Sequence, residues 1–214
     1  MDIGIRTPPA AGQMGFAAFA QWAAEVGFGA IDVGKVDAEN KKILDDCGLK
    51  LGTVDLPQPW NALMDADEAK QAAGFEVYKR ELEAAAALGA KVMFAVLLPP
   101  DSTQPRSKSF EILKGTLPRL MALMESLDLH LALEGWPGGG PHYPALGCTP
   151  ETLRAIFGAV PSANLGICFD PTHVVRLGID YKRFLAEFGP RVKHCHGKDT
   201  ELNEEERDLC GNLD

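Results

Sequence analysis

Long apolar runs are missing from this sequence of 214 residues. No window approaches the roughly 18 apolar residues of a membrane-spanning helix, and the first residues lack the basic region and apolar stretch of an export signal. We therefore expect neither membrane insertion nor export. The proportions, 46% hydrophobic and 24% charged residues, are ordinary for a folded chain, so we expect one domain over residues 1–214.

Positive charge and paired cysteines are also scarce. Lys and Arg total 21 against 30 Asp and Glu, a formal net charge of −9, and no basic patch is concentrated in the sequence. Such a surface repels a phosphate backbone, so no nucleic-acid partner is expected. The cysteines are 5 in number and form no C-x-x-C pair, which argues against a disulfide framework and favours a reducing, cytoplasmic location.

A glycine-rich nucleotide-binding turn is absent after the first apolar run. The residues Arg6-Thr7-Pro8-Pro9 stand there instead. They cannot wrap a pyrophosphate as a G-x-G-x-x-G turn does, so a dinucleotide-binding sheet is disfavoured.

Short apolar runs alternate with longer helical patterns along the whole chain. This alternation predicts repeated strand–helix units and a parallel sheet, hence an α/β fold. The runs that predict strands cover residues 3–6, 30–33, 51–55, 92–97, 129–134, 165–170 and 192–196. The helical patterns cover residues 15–26, 38–47, 68–88, 108–127, 151–160 and 181–188.

Polar residues with ligating side chains recur at the carboxyl ends of the predicted strands. A (β/α)8 TIM barrel builds its active site at that end, so the pattern favours such a barrel. It usually takes about 250 residues, whereas only seven units are identifiable here. The tail after His196 is polar and acidic. We therefore expect the eighth strand to be missing from this sequence, and the exposed strand edges would favour homo-oligomers.

Strand alternation selects three residues for the mouth of the barrel. Residues two apart face the same side of a strand, so Glu134 and Asp170 are each the last inward residue of their runs. His196 occupies the corresponding place in the last run. Two carboxylates and an imidazole would suit Mn²⁺, Mg²⁺, Co²⁺ or Zn²⁺. A network of salt bridges between these side chains is the alternative.

Two ordered motifs make the chain resemble a known family. Asp170-Pro171-Thr172-His173 is followed by residues 194–200, His-Cys-His-Gly-Lys-Asp-Thr, and a Glu ends the preceding strand. This pattern resembles the xylose isomerase-like barrels, which include sugar phosphate isomerases and epimerases, ketose 3-epimerases, inosose dehydratases and, more distantly, zinc endonucleases of abasic-site repair. The resemblance extends from Met1 to about Asn203.

The resemblance implies roles for individual residues. Glu134, Asp170 and His196 match three of the four usual metal ligands of the family. His173 matches the histidine that contacts substrate or a second metal, and Lys198 begins the family's Lys-Asp pair. The fourth ligand, a Glu on the eighth strand, has no match in this sequence.

Four further residues are candidates for substrate binding. Arg6 ends the first strand and could pair with a substrate phosphate or carboxylate, although an internal salt bridge would explain it equally well. Trp60 and Trp136 follow strands and could stack on a sugar, or could simply pack under loops. His142 lies in a glycine-rich loop that could close over substrate, or could be exposed to solvent.

Together these features predict a divalent-metal-dependent isomerase or epimerase. Its substrate would be a small carbohydrate, namely a sugar, sugar phosphate or polyol, and its reaction a proton transfer next to a carbonyl. Glu134 would move the proton, His173 would orient a substrate oxygen and Lys198 would stabilise charge. Two alternatives are a non-catalytic barrel that binds a sugar or a partner and, less favoured, a phosphoester hydrolase similar to abasic-site endonucleases.

Overall fold

The strands of this protein form one curled parallel sheet in a computed structural model. The structure describes residues 2–9, 11–138, 143–203, 205 and 208. Within this part of the chain, seven parallel strands pair in the order of the sequence. They are β1 (Gly4–Arg6), β2 (Ala30–Val33), β3 (Lys50–Asp55), β4 (Val92–Ala95), β5 (His130–Glu134), β6 (Leu165–Phe169) and β7 (Val192–Cys195). The predicted α/β barrel architecture with seven strand–helix units is confirmed.

Helices connect successive strands and cover the outer face of the sheet. The α-helices are α1 (Ala11–Met14), α2 (Phe16–Glu25), α3 (Ala38–Asp46), α4 (Glu68–Ala87), α5 (Arg106–Ser126), α6 (Pro150–Ala159), α7 (Pro171–Arg176) and α8 (Tyr181–Phe188). Short 3-10 helices span Trp60–Met64 and Gly189–Arg191. Several helices begin at a residue whose side chain accepts from a free backbone N–H, such as Asp67 before α4 and Thr149 before α6.

Some boundaries differ from those predicted. The helix expected over 108–127 begins at Arg106, directly after Pro105. The strand expected over 92–97 ends at Ala95, because Leu97 forms only an isolated antiparallel bridge with Leu146. The short helices α1 and α7 were not predicted, since each is shorter than the window over which helical periodicity can be read.

The two faces of the sheet carry different apolar clusters, as strand alternation requires. Leu131 and Leu133 of β5 are fully buried in the large core between sheet and helices. Ala132, between them, lies on the inner face in a small cluster with Phe94 and Cys168. The inner face of the sheet therefore carries a small apolar cluster, and Glu134 lies at the carboxyl end of the same strand.

The edge strands of the sheet, β1 and β7, border a groove. No pairing between β1 and β7 is present in the described part of the chain. The groove between them has a volume of about 790 Å³ and reaches the carboxyl ends of the strands, where Arg6, Asp32, Glu134 and His196 line it.

The structure also bears on membrane-spanning helices and on the state of the cysteines. No helix among the described residues is long and apolar enough to cross a membrane. The described cysteines, Cys47, Cys148, Cys168 and Cys195, are free thiols. The location of the protein in the cell remains a prediction.

A pair of glycine variants tests the tight spacing between β6 and the start of β7. A Cβ atom at Gly166 would lie 2.1 Å from the carbonyl oxygen of Arg191, which belongs to the backbone and cannot rotate away. We expect Gly166→Ala to lower the free energy of unfolding by about 1–3 kcal/mol, measured by urea denaturation.

The control for this prediction is Gly115, inside α5. No described atom lies within 4 Å of a Cβ placed there, apart from the helix backbone and the chain neighbours. Gly115→Ala should raise the free energy of unfolding by about 0.5–1 kcal/mol, since alanine favours the helix. Equal effects of the two variants would contradict the predicted contact.

Candidate active site

Three strand ends bring Glu134, Asp170 and His196 to the same place. Glu134 is the last residue of β5, whereas Asp170 and His196 directly follow β6 and β7. His196 Nδ1 lies 2.5 Å from Glu134 Oε1 and 4.0 Å from Asp170 Oδ2. The two carboxylate residues are buried, with exposed fractions of 7% and 3%. The structure thus brings together the three residues that the sequence placed at the mouth.

The Asp-Pro-Thr-His motif fixes the orientation of Asp170. Its Oδ1 caps α7 by accepting the backbone N–H of Thr172 at 3.0 Å and the Thr172 hydroxyl at 2.7 Å. Pro171 occupies the first turn of the helix, where no N–H is needed. The second oxygen, Oδ2, remains directed into the mouth and lies 2.5 Å from Lys198 Nζ. One carboxylate therefore both starts a helix and serves the site.

His173 and Lys198 complete this cluster. His173 lies on α7, three residues after Asp170, and its Nε2 is 3.4 Å from Asp170 Oδ2 and 3.6 Å from Glu134 Oε2. Lys198 Nζ lies 3.4 Å from the same nitrogen. The structure thus also gathers the residues with predicted substrate and charge-stabilising roles, and those roles stay predictions.

The local electrostatics keep Glu134 ionised. Burial by itself raises the pKa of this carboxyl group. Hydrogen bonds from His173 and His196, together with their charges, outweigh burial and lower the pKa to about 2. At neutral pH Glu134 is therefore a carboxylate, able to accept a proton or to bind a cation.

Asp32 is a residue of the site that sequence reasoning missed. It lies on β2, is 7% exposed, and its Oδ2 is 2.9 Å from Nε2 of His194 on β7. Burial raises the pKa of Asp32, but the hydrogen bonds from His194 and Thr53 together lower it by more than burial raises it. The pKa of Asp32 is therefore below its ordinary value. A signal was present in the sequence, because Asp32 is a charged residue inside an otherwise apolar run.

Arg6 is engaged within the protein. Its Nη2 donates to Asp55 Oδ1 at 2.9 Å and Oδ2 at 2.8 Å, and its guanidinium lies 4.7 Å from the ring centroid of Phe94. Burial nevertheless raises the pKa of Asp55 above its ordinary value, against the effect of Arg6. Arg6 borders the groove and is 39% exposed, so it remains a candidate for substrate binding.

The structure describes the other three candidates for substrate binding only in part. Trp136 follows β5 and has an exposed fraction of 36%. Trp60 begins a 3-10 helix after β3, and its side chain is outside the described part of the structure. His142 lies outside the described residues.

The donor atoms at the mouth fit a divalent cation. In the described part of the chain, three groups hold ligand atoms within 4.8 Å of one another: Glu134–Asp170–His173, Glu134–Cys168–His196 and Asp32–His194–His196. The three expected ligands are divided between the first two groups, which share Glu134. His196 Nε2 is buried and makes no hydrogen bond. Carboxylate oxygens and imidazole nitrogens suit Mn²⁺, Co²⁺ and Zn²⁺.

Known structures share this fold at low sequence identity. A D-tagatose 3-epimerase-like protein has a TM-score of 0.72 and 21% identity, over 94% of this chain and 77% of that one. A D-psicose 3-epimerase has a TM-score of 0.77 and 20% identity, over 98% and 80%. An AP endonuclease of family 2 from Brucella melitensis has a TM-score of 0.73 and 15% identity, over 98% and 87%.

Sequence comparison matches this chain to a family model but to no individual curated protein. No curated protein sequence matches this chain. A family model described as xylose isomerase-like TIM barrel matches residues 9–212, which is nearly the whole sequence. The chain therefore belongs to the xylose isomerase-like TIM barrel family.

Proposed function

We propose that this protein is an isomerase or epimerase that uses a divalent metal and acts on a small sugar, sugar phosphate or polyol. The observation that carries the proposal is the ionised, buried carboxylate of Glu134, which lies among His173, His196 and Asp170. The fold relatives named above include a D-psicose 3-epimerase, which agrees with this class of reaction. The proposed chemistry is proton transfer at a carbon next to a carbonyl.

Glu134, Asp170 and His196 are the residues that would hold the metal. A bound divalent cation would supply Lewis-acid stabilisation for negative charge that develops on a substrate oxygen. The low pKa of Glu134, about 2, keeps its carboxylate available as a ligand at neutral pH. The geometry of the site and the availability of each ion would decide which of Mn²⁺, Mg²⁺, Co²⁺ and Zn²⁺ binds.

Three side chains would handle protons and charge. Glu134 would remove or return the substrate proton, because it is ionised and directed into the mouth. His173, with Nε2 between Glu134 and Asp170, would orient a substrate oxygen. Lys198 is half-exposed beside Asp170, where its ammonium would stabilise developing negative charge.

The groove supplies room for a sugar next to these residues. It joins the mouth along β7 and is lined by Arg6 and Lys198, which would attract an anionic or polar substrate. We propose that Trp60, Trp136 and His142 contribute the remaining substrate contacts.

Hydrolysis of nucleic-acid phosphoesters is less well supported, although one fold relative is an AP endonuclease. The residues that β2, β3 and β4 bring to the mouth are Asp32, Asp55 and Phe94. None of these is an imidazole, and the sequence contains no histidine before His130. The formal net charge of −9 also opposes binding to a phosphate backbone.

Glu134→Gln should strongly reduce turnover while the fold is kept. The amide has nearly the same shape but cannot accept the proton, so the rate should fall by about 10²–10⁴-fold. The measurement is deuterium incorporation from D2O at the carbon next to the carbonyl, followed by NMR over a panel of ketoses, ketose phosphates and keto derivatives of polyols.

A matched control is Glu151→Gln, an exposed glutamate at the start of α6. This variant should exchange deuterium at the wild-type rate. Wild-type turnover by Glu134→Gln would refute the assignment of the base. Sugar binding without any exchange by the unmodified protein would support a non-catalytic barrel instead.

Asp170→Asn should weaken metal binding. The amide can still cap α7, but it loses the negative charge of a ligand, so the dissociation constant for Mn²⁺ or Co²⁺ should rise by at least about tenfold. Titration calorimetry after treatment with EDTA measures this change, and EDTA should also remove the activity of the unmodified protein.

Asp180→Asn is the control for this measurement. Asp180 caps α8 in the same way, by accepting the backbone N–H of Lys182 and Arg183, but it lies on the surface. Its replacement should leave metal affinity unchanged. Equal losses for the two variants would indicate a capping effect and would count against Asp170 as a ligand.

A further inference from the structure

Asp32 is held on the inner face of the barrel by hydrogen bonds to both of its oxygens. Oδ1 accepts the backbone N–H of Thr53 at 2.5 Å, and Oδ2 lies 2.9 Å from His194 Nε2. These bonds connect β2 to β3 on one side and to β7 on the other. The pair of Asp32 and His194 therefore links strands that are separated by most of the sequence and that face each other across the groove.

The neighbouring strand leaves space for this carboxylate. A Cβ atom on Gly52 of β3 would lie 2.2 Å from Asp32 Oδ1. Glycine at this position lets the carboxylate reach the Thr53 N–H without a steric clash. The place of Asp32 is thus determined by the backbone of β3 as well as by the side chain of His194.

His194 in turn touches the candidate metal ligand His196. The two rings meet edge to face, with centroids 5.3 Å apart and planes at 89°. The Phe94 ring, 5.4 Å from the His196 centroid, lies against the same imidazole. His196 is thereby confined between His194 and Phe94, with Nδ1 at Glu134 and the unpaired Nε2 4.0 Å from Asp32 Oδ2.

The charge balance at the mouth favours a supporting role for Asp32 over a second cation site at this residue. Among the described residues, the polar network holds the carboxylates of Asp32, Asp55, Glu134 and Asp170 and the cations Arg6 and Lys198. One divalent ion balances the formal charge of these four carboxylates and two cations. A second ion would leave positive charge buried, which is costly.

We infer that Asp32 is a positioning residue that acts through His194 to hold His196 ready for the metal. Outer partners that orient a metal-ligating histidine are worth about 10–100-fold in metal affinity. Here the orienting contact to His196 is the ring of His194, and Asp32 holds that ring through its hydrogen bond. This inference rests on the proposed metal-dependent function. It goes beyond that proposal because it gives a role to Asp32 and His194, which are not among the residues proposed to hold the metal.

A double-mutant cycle tests the inference. Asp32→Asn keeps the shape and the Thr53 contact but removes the charge, and His194→Phe keeps a ring against His196 but removes the hydrogen bond. Each variant should bind Co²⁺ about 10–100-fold more weakly in titration calorimetry. The double variant should bind no more weakly than either single variant, since both remove the same support. Additive losses would overturn the inference.

Asp55→Asn is the control for loss of charge. Asp55 is another carboxylate of the mouth, but its described hydrogen bonds come from Arg6 and not from a histidine. If charge alone mattered, Asp55→Asn and Asp32→Asn would weaken Co²⁺ binding equally, which would overturn a positioning role. Circular dichroism and the unfolding midpoint in EDTA report separately whether each variant folds.

The unmodified protein offers a test that needs no variant to fold. In long-range ¹H–¹⁵N spectra, His194 should carry its proton on Nε2, and Zn²⁺ should shift a ring nitrogen of His196 while His194 keeps this tautomer. A direct Zn²⁺ shift of a His194 nitrogen, or binding of two ions per chain, would replace the positioning role with a second cation site. Absence of any Zn²⁺, Mn²⁺ or Co²⁺ binding would instead refute the proposed metal dependence, and the inference with it.

Discussion

A buried carboxylate that must stay charged is the constraint on which this structure depends. Glu134 is 7% exposed, and removal of a charge from water is costly unless nearby groups compensate. Compensation comes from two imidazoles, His173 on α7 and His196 after β7. Glu134 therefore holds together three elements that are distant in the sequence, and their arrangement is at the same time the candidate site.

Contacts across the lumen of the barrel connect this arrangement to strands in the first half of the chain. Phe94 of β4 lies between the Arg6 guanidinium, 4.7 Å away, and the His196 ring, 5.4 Å away. Arg6 in turn pairs with Asp55 at the end of β3. Aromatic contacts and charge pairs thus alternate across the mouth, so that β1, β3, β4 and β7 all contribute to the position of one imidazole.

Space and chemistry coincide at the carboxyl ends of the strands. The groove of about 790 Å³ between β1 and β7 opens onto the same residues that the strand ends bring together. A smaller cavity of about 430 Å³ beside α4 has charged residues at its rim, but Lys35 and Arg80 both pair there with Glu81. Free ligating atoms and an accessible volume meet at the groove, which is why the proposed function is assigned to it.

The sequence by itself determined the strand–helix order and the inward positions of Glu134, Asp170 and His196, because alternation in a strand is a local property. Only the tertiary structure decided which side chains meet across the barrel. Asp32 and His194 are paired although 162 positions separate them, and Arg6 and Asp55 pair across 49. Such partners depend on strand register and on the curvature of the sheet, which no local pattern of residues encodes.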